Sequence, residues 1–418
     1  MSKFSTQSKV AAFLVLFTTL ASHAASKLYK YARLRRKLPN NFLQWRMPNK
    51  PDDKYAEQRV WLDLGPFFFT LGYRSWVIPD AICLYSVVPD RILPAQSGYK
   101  FIIEGIRERG AGTLERYGFM PFKNSLLHFF LNRENQAVVI RPLTIGNEGK
   151  NQLQIIRHLS HPAKAAYTGN HILPMIREIP LDDIIFGVFP LSGPSLVLLY
   201  SYIMPQNSVG DIINMYMQAL EVKSGLLLLY DDLIVGQALV FLHKNRIAHR
   251  DTFGDNFVIQ WHPESLCAGQ IPFLRPRVQL IDFEMAVQFP PDINMEDCIC
   301  YSLPHEGTSY STIQYTRPFP FYHAQDTDSQ YGVHPYNAFD LDVWQLRNSF
   351  AGLEVSPEVN AADLVQALEH LKPKRDGLTA EQAMIILRSA WLSCSEQQLQ
   401  VAPMLKPGKN ALVGSGTF

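Results

Sequence analysis

The spacing of apolar residues changes once along this chain, and that change decides the class of fold. Between residues 125 and 190 they come in short runs bounded by turn residues. "SLLHFFLNRENQAVVIRPL" holds two such runs around the turn "NREN", which predicts a hairpin of strands 125–131 and 137–143. "HILPMIREIPLDDIIFGVFPL" predicts two more strands, 171–179 and 184–189. Between the pairs, "EGKNQLQIIRHLS" sets apolar residues at 153, 155, 156 and 159, the spacing of a short helix. "SGPS" then breaks the strand pattern. Beyond it, "VGDIINMYMQALE" and "GQALVFLH" carry apolar stripes at helical spacing. Strands grouped with one helix and followed by helices predict an α+β chain in two lobes.

With 418 residues the chain has ample length for a large core. A net charge of +1 gives no broad pull toward nucleic acid or an anionic membrane, so no nucleic-acid partner is expected. Five scattered cysteines do not make a disulfide framework, and Cys298 and Cys300 are read as incidental thiols. The N-terminus differs from the rest: ten Lys or Arg precede the first acid, Asp52. Within it "VAAFLVLFTTLA" followed by "SHAAS" has the pattern of a secretory signal, and the lack of acids also fits a mitochondrial transit peptide. Twelve apolar residues are too few for an ordinary membrane span. No stable membrane partner is expected unless that segment is retained as an anchor. Residues 52–120 are harder to read; "VWLDLGPFFFTLGYRSWVIP" could hold a short helix and a strand.

"RIAHRDTFGDNFVIQW", residues 246–261, sets His249, Arg250, Asp251 and Asn256 in a polar loop between apolar segments. A second acid, Asp282, ends the strand "RVQLIDF". If "NFVIQW" and "RVQLIDF" form a hairpin, Asn256 and Asp282 stand side by side. Those oxygens suit Mg2+, which takes few protein ligands and shares the rest with phosphates. Asp251 would then take the proton of an attacking hydroxyl, completing the parts of a phosphoryl-transfer site.

"HRDTFGDN" matches the catalytic loop H-R-D-x-x-x-x-N, and "LIDFE" stands where D-F-G would. The chain resembles the eukaryotic protein-kinase superfamily, most closely the kinase-like proteins of mushroom-forming fungi, over roughly residues 125–395. The resemblance implies a two-lobed protein-kinase-like fold, an N-lobe β-sheet with one helix and a mostly helical C-lobe. With the N-terminal pattern, this divides the chain into a targeting or anchor-like segment 1–37, an N-terminal extension and N-lobe 52–190, a C-lobe 191–395 and a tail 396–418. It implies ATP and Mg2+ as cofactors and a protein as substrate. By resemblance Asp251 is the base, Asn256 and Asp282 hold Mg2+, and Arg250 pairs with a phosphorylated activation segment. Backbone groups near Phe189 and Leu191 would hold adenine, and Asp342 of "FDLDVWQL" would brace the catalytic loop. His249 is read as packing the loop. The hydroxyl-rich "YSLPHEGTSYSTIQYT", residues 301–316, fits an activation segment or a plain polar loop. Family resemblance and cysteine usage favour the cytoplasm; residues 1–25 favour export or targeting.

The departures concentrate in the phosphate half. "VVIR" puts Arg141 where the family has a phosphate-binding lysine; arginine also binds phosphate, with a larger fork. Glu148 and Gln152 are the candidates for the helix glutamate that pairs with that lysine. "RERGAGTLERYG", 107–118, has the wrong spacing for a glycine-rich loop, Glu284 replaces the glycine of D-F-G, and "RPFPFY" lacks a glutamate. Three readings follow: a Ser/Thr protein kinase, a pseudokinase that binds ATP as a scaffold, or a small-molecule kinase of the aminoglycoside or choline type. "VKSGLLLLYDDLIVGQ", 222–237, interrupts what reads as one helix, as an insertion or an in-frame intron left in the message.

Overall fold

The computed structural model describes residues 6–46, 56–75, 126–165, 170–192, 195–196, 208–220, 238–260, 277–305, 319–321, 334–355, 361–401 and 404–405. The expected α+β class is present: a five-stranded antiparallel sheet and a set of helices. The strands are β1 (Arg74–Ser75), β2 (His128–Leu131), β3 (Ala137–Ile145), β4 (Arg177–Leu181) and β5 (Ile184–Pro190), in the order β1-β2-β3-β5-β4. The predicted hairpin forms as β2 and β3, with Phe130 opposite Val138. Its turn closes on Asn132, whose Oδ1 accepts the N–H of Gln136, while Asn135 takes a left-handed φ of 58° that Asn tolerates well.

The second predicted pair needs a correction. The strand expected at 171–179 begins only at Arg177. Pro174 has no N–H to donate to a ladder. Before it, residues 171–173 leave the sheet and run beside the later strand Arg277–Leu280. Ile172 bridges Leu280 there, His171 O accepts from Leu280 N (2.7 Å), and Leu173 N donates to Leu280 O (3.1 Å). Three helices precede the sheet's long strands, α1 (Thr6–Arg35), α2 (Phe42–Arg46) and α3 (Ala56–Thr70), and the predicted helix forms as α4 (Lys150–Leu159). All four expected apolar positions of α4 are buried.

Helices α2 and α3 cover one face of the sheet. Successive strand residues point to opposite faces, so Val138 and Ile140 of β3 face this layer and Val139 and Arg141 face away. Phe42, Trp45, Trp61, Leu64 and Phe68 pack there against Phe130, Ile140, Phe186 and Val188. Trp45 meets Phe186 edge-on at 6.1 Å, and Phe68 meets Phe130 at 5.0 Å. Each such large apolar side chain contributes about 1.5–3 kcal/mol on burial. The layer begins inside the 1–37 segment. Tyr31 and Leu34 join its core, and Arg35 pairs with Asp183 in the β4–β5 turn. The earlier half of α1 exposes Phe13, Leu14, Val15, Leu16, Phe17 and Leu20. Among the described residues no helix is long and apolar enough to cross a membrane.

The helical part comprises α5 (Val209–Leu220), α6 (Leu239–Lys244), α7 (Ala338–Ser349), α8 (Ala362–His370) and α9 (Ala380–Ser393). Its core includes Ile213, Leu242, Leu346, Leu364 and Leu387, all fully buried. Tyr216 stacks on Phe350 at 3.8 Å. Arg347 is buried and ties α7 to the segment after α8: it donates to both carboxylate oxygens of Asp376 (2.6 and 3.0 Å) and to the carbonyls of His370, Leu371 and Lys372.

Residues 221–237 lie outside the described residues, but their flanks are informative. Ala238 N donates to Gln218 O at 3.3 Å. Counted without residues 222–237, that contact is the i→i−4 bond of one continuous helix. The two stumps therefore meet in helical register, as the insertion reading requires. Deleting residues 222–237 is expected to leave a cooperatively folded chain with a melting temperature equal to or above that of the full chain. Closing a loop of sixteen residues costs about 2.5 kcal/mol, which bounds the gain. Loss of the cooperative transition in calorimetry would instead make the segment part of the core.

His171 generates a second prediction. Burial, then the charge of Arg277, lowers its pKa to about 3, although its hydrogen bond to Val278 O works the other way. The unfolded chain therefore binds a proton that the folded chain refuses. This contribution is complete above the ordinary value of about 6.5 and is lost as pH falls below it. His171→Asn, which keeps a donor for Val278 O, is expected to make the stability loss between pH 7 and pH 5 shallower by about 2 kcal/mol. Parallel urea-unfolding curves for both chains across that range would refute the assignment.

Candidate active site

The polar loop 249–256 lies between two short ladders. β6 (Ile247–Ala248) pairs with β9 (Val287–Gln288), and β7 (Phe257–Gln260) pairs with β8 (Arg277–Leu280). The β7–β8 hairpin is the one expected from the sequence. Phe257 stands opposite Leu280, and Ile281 N donates to Asn256 O at 2.9 Å. Asn256 and Asp282 consequently leave adjacent strand ends.

Helix α7 holds the loop by its backbone. Asp342, Gln345 and Ser349 fall at i, i+3 and i+7, one stripe of the helix. The fully buried Asp342 carboxylate accepts the N–H groups of His249 (2.8 Å) and Arg250 (2.6 Å), and His243 Nε2 lies 3.1 Å away. The bracing role expected for Asp342 is thus seen directly. Gln345 grips the chain on both sides of Asp251: Nε2 donates to Arg250 O (3.0 Å), and Oε1 accepts Thr252 N (2.9 Å). Thr252 Oγ1 donates to Asp342 O, and Gly254 N donates to Ser349 Oγ. Arg250 and Asp282 take left-handed φ angles of 62° and 67°. Such angles cost of order 1–3 kcal/mol for non-glycine residues and persist where surroundings over-determine them.

Asn256 Nδ2 donates to Asp251 O and to Asp251 Oδ2, each at 2.8 Å. Its Oδ1 therefore faces away from Asp251. Asp282 Oδ1 accepts from Arg141 Nη1 at 3.1 Å. Asp282 Oδ2 has no hydrogen bond from a described residue. Burial raises the Asp282 pKa, but the charges of Arg141, then Arg46 and His249, outweigh it and hold the carboxyl below its ordinary range. His249 packs the loop as expected: it is fully buried, its Nε2 lies 2.9 Å from Ile281 O, and its ring meets Phe283 edge-on.

Arg141 is placed differently from a lysine that pairs with a helix acid. On the face of β3 away from the aromatic layer, it bridges Asp282 and Glu284. Glu284 is buried and also accepts Arg46 Nη2 at 2.6 Å. Neither candidate on the α4 side takes this place. Glu148 Oε2 accepts Phe42 N (2.8 Å), and Gln152 Nε2 donates to Leu143 O (2.7 Å). Glu284 is thus the acid paired with the β3 arginine.

Arg250 is buried; its Nε donates to Met285 O at 2.8 Å, and its Nη1 lies 3.9 Å from Cys300 Sγ. Phe189 and Leu191 are buried near Ala137 and Val139, on the face that carries Arg141. Leu191 N donates to Ala137 O at 3.1 Å, so this N–H is engaged within the sheet. Burial raises both the Cys298 and Cys300 thiols, which keeps them protonated at neutral pH and fits incidental cysteines. Among the described residues no group of three or more His, Cys, Asp or Glu side chains could hold a metal. Of the hydroxyl-rich stretch, residues 306–316 lie outside the described residues, as does the glycine-containing stretch 107–118.

Sequence reasoning missed Gln345, Ser349 and Arg46. For Gln345 a signal existed: it stands three positions after Asp342, on the same stripe of the helix. Arg46 carried none. The chain matches no protein-family model, and no curated protein matches its sequence.

Gln345→Met removes both polar ends at nearly constant volume and leaves two buried backbone groups unpaired. It is expected to cost about 2–4 kcal/mol in urea unfolding with no change in m-value. A cost below about 0.5 kcal/mol would mean that the loop keeps its shape without this grip.

Proposed function

We propose that the chain is a protein-kinase-like enzyme that transfers phosphoryl groups from ATP to Ser or Thr hydroxyls of a protein, with its sheet and helical parts as the two lobes. One observation carries the reading: Asp251, Asn256 and Asp282 converge at the adjoining ends of β7 and β8, on a loop that α7 fixes at four backbone N–H groups. The donor set fits Mg2+. Asn256 Oδ1 and Asp282 Oδ2 are hard oxygens, and Mg2+ binds through one or two carboxylates with the rest of its shell from phosphate and water. When bound, Mg2+-ATP supplies the transferable group and the cation that neutralises its charge.

The chain's own residues do the rest. Asp251 accepts the proton of the attacking hydroxyl, and Asn256 Nδ2 orients its carboxylate. Arg141 is the cation beside the phosphates. Phe189, Leu191 and Val139 offer apolar surface to the base, and carbonyl groups of the 189–191 stretch suit it better than Leu191 N–H.

A second reading rests on a specific contact. Arg141 already holds Asp282, a proposed metal ligand, so the site in this form is closed on itself. A chain that keeps this pairing in the presence of nucleotide would be a pseudokinase.

Thermal denaturation of the full chain tests the first reading. Millimolar Mg2+-ATP at a hundred times its dissociation constant stabilises by about 2.7 kcal/mol, a shift of several degrees. The shift is expected to need Mg2+ and to vanish in Asp282→Ala. Peptide-array phosphorylation should disappear in Asp251→Asn while ATP still stabilises that variant. Binding without transfer would select the pseudokinase; transfer to a small hydroxylated metabolite alone would select the small-molecule kinase.

A further inference from the structure

Arg46 lies outside the 125–395 stretch that resembles kinases, yet its side chain enters the candidate site. Two contacts fix the short helix that carries it, and one within the helix places its guanidinium. Trp45 is buried against Trp61 and Phe186, Phe42 N donates to Glu148 Oε2, and the Arg46 guanidinium lies over the Phe42 ring at 5.9 Å. The side chain is mostly buried and ends on Glu284, 238 positions along the chain.

Charge balance gives this contact a purpose. Arg141 alone faces two carboxylates, Asp282 and Glu284, so those three groups sum to a net negative charge. A triphosphate would meet a repelling site. Arg46 shares Glu284 and so offsets part of the negative charge that Arg141 faces. The groups are close and poorly solvated, so a single uncompensated charge is strongly felt.

We propose that Arg46 is a positioning residue of the nucleotide site, supplied by the N-terminal layer, which offsets Glu284 so that Arg141 can serve the phosphates. The proposal rests on the nucleotide-site reading above. Its ligand class is a nucleoside triphosphate with Mg2+, and its effect is on the phosphates and not on the base.

Isothermal titration of the full chain with Mg2+-ATP, and separately with adenosine, separates the alternatives. In Arg46→Ala the dissociation constant for Mg2+-ATP is expected to rise about tenfold or more, with adenosine affinity unchanged within about twofold. Arg46→Ala/Glu284→Gln restores the balance and is expected to return ATP affinity to within about threefold of wild type. A purely structural role predicts instead that ATP and adenosine affinity move together in the single variant and recover together in the double one. Glu284→Gln alone keeps Arg46 in place and is expected to tighten Mg2+-ATP several-fold; this arm stands even where Arg46→Ala does not fold. Parallel weakening of ATP and adenosine in Arg46→Ala, or ATP binding in the double variant weaker than in the single, overturns the role of Arg46. Failure of wild type to bind either ligand overturns the nucleotide-site reading itself.

Discussion

The ion pair between Arg141 and Glu284 organises this molecule's candidate site. It joins the central strand of the sheet to the turn that follows Asp282, and Arg46 and Asp282 close it into a group of four. Three oddities of the sequence become one arrangement. A β3 arginine has a fork wide enough to serve two carboxylates at once, which a lysine ammonium does with less geometric definition. Glu284 supplies the acid, while on α4 Gln152 bonds the backbone at Leu143. A glycine at position 284 would remove the carboxylate that Arg141 and Arg46 share.

A second constraint acts from below the loop. Backbone N–H groups that are buried must be paired, and the loop 249–254 cannot pair them within itself while Arg250 holds a left-handed φ. Helix α7 supplies acceptors at the right intervals because its stripe rises in step with the extended loop. Hydrogen bonds to a charged acceptor contribute about 1.5–3 kcal/mol each, enough to hold the strained conformation of Arg250. The loop's shape is thus set before any ligand arrives, which is what a site relying on positioning requires.

What could be read from the sequence was what depends on local spacing. The β2–β3 hairpin, α4, α5 and the β7–β8 pairing all announce themselves by periodicity and turns, and Asp342 by its motif. The rest depends on contacts between distant segments. Residues 171–173 are apolar and strand-like, but Pro174 breaks the ladder and β8 captures them, a choice no local pattern reveals. Helix α2 has five residues, too few to show a stripe, so the Trp45–Trp61–Phe186 cluster was invisible. The basic N-terminus read as a targeting signal because composition there is unusual, and composition says nothing about which arginines find carboxylates.

That last point separates two questions that share one stretch of chain. The apolar residues 13–20 of α1 are exposed, and the packed contacts begin at Tyr31. Arg35 pairs with Asp183 and Arg46 with Glu284, so the part of the N-terminus that matters to the site starts after "SHAAS". Whatever becomes of the first twenty-five residues, the aromatic layer and the charge balance around Arg141 do not depend on them. The layer and the site, by contrast, cannot be separated: residues 31–46 finish one face of the sheet and, through the same short helix, place the fourth charge of the cluster.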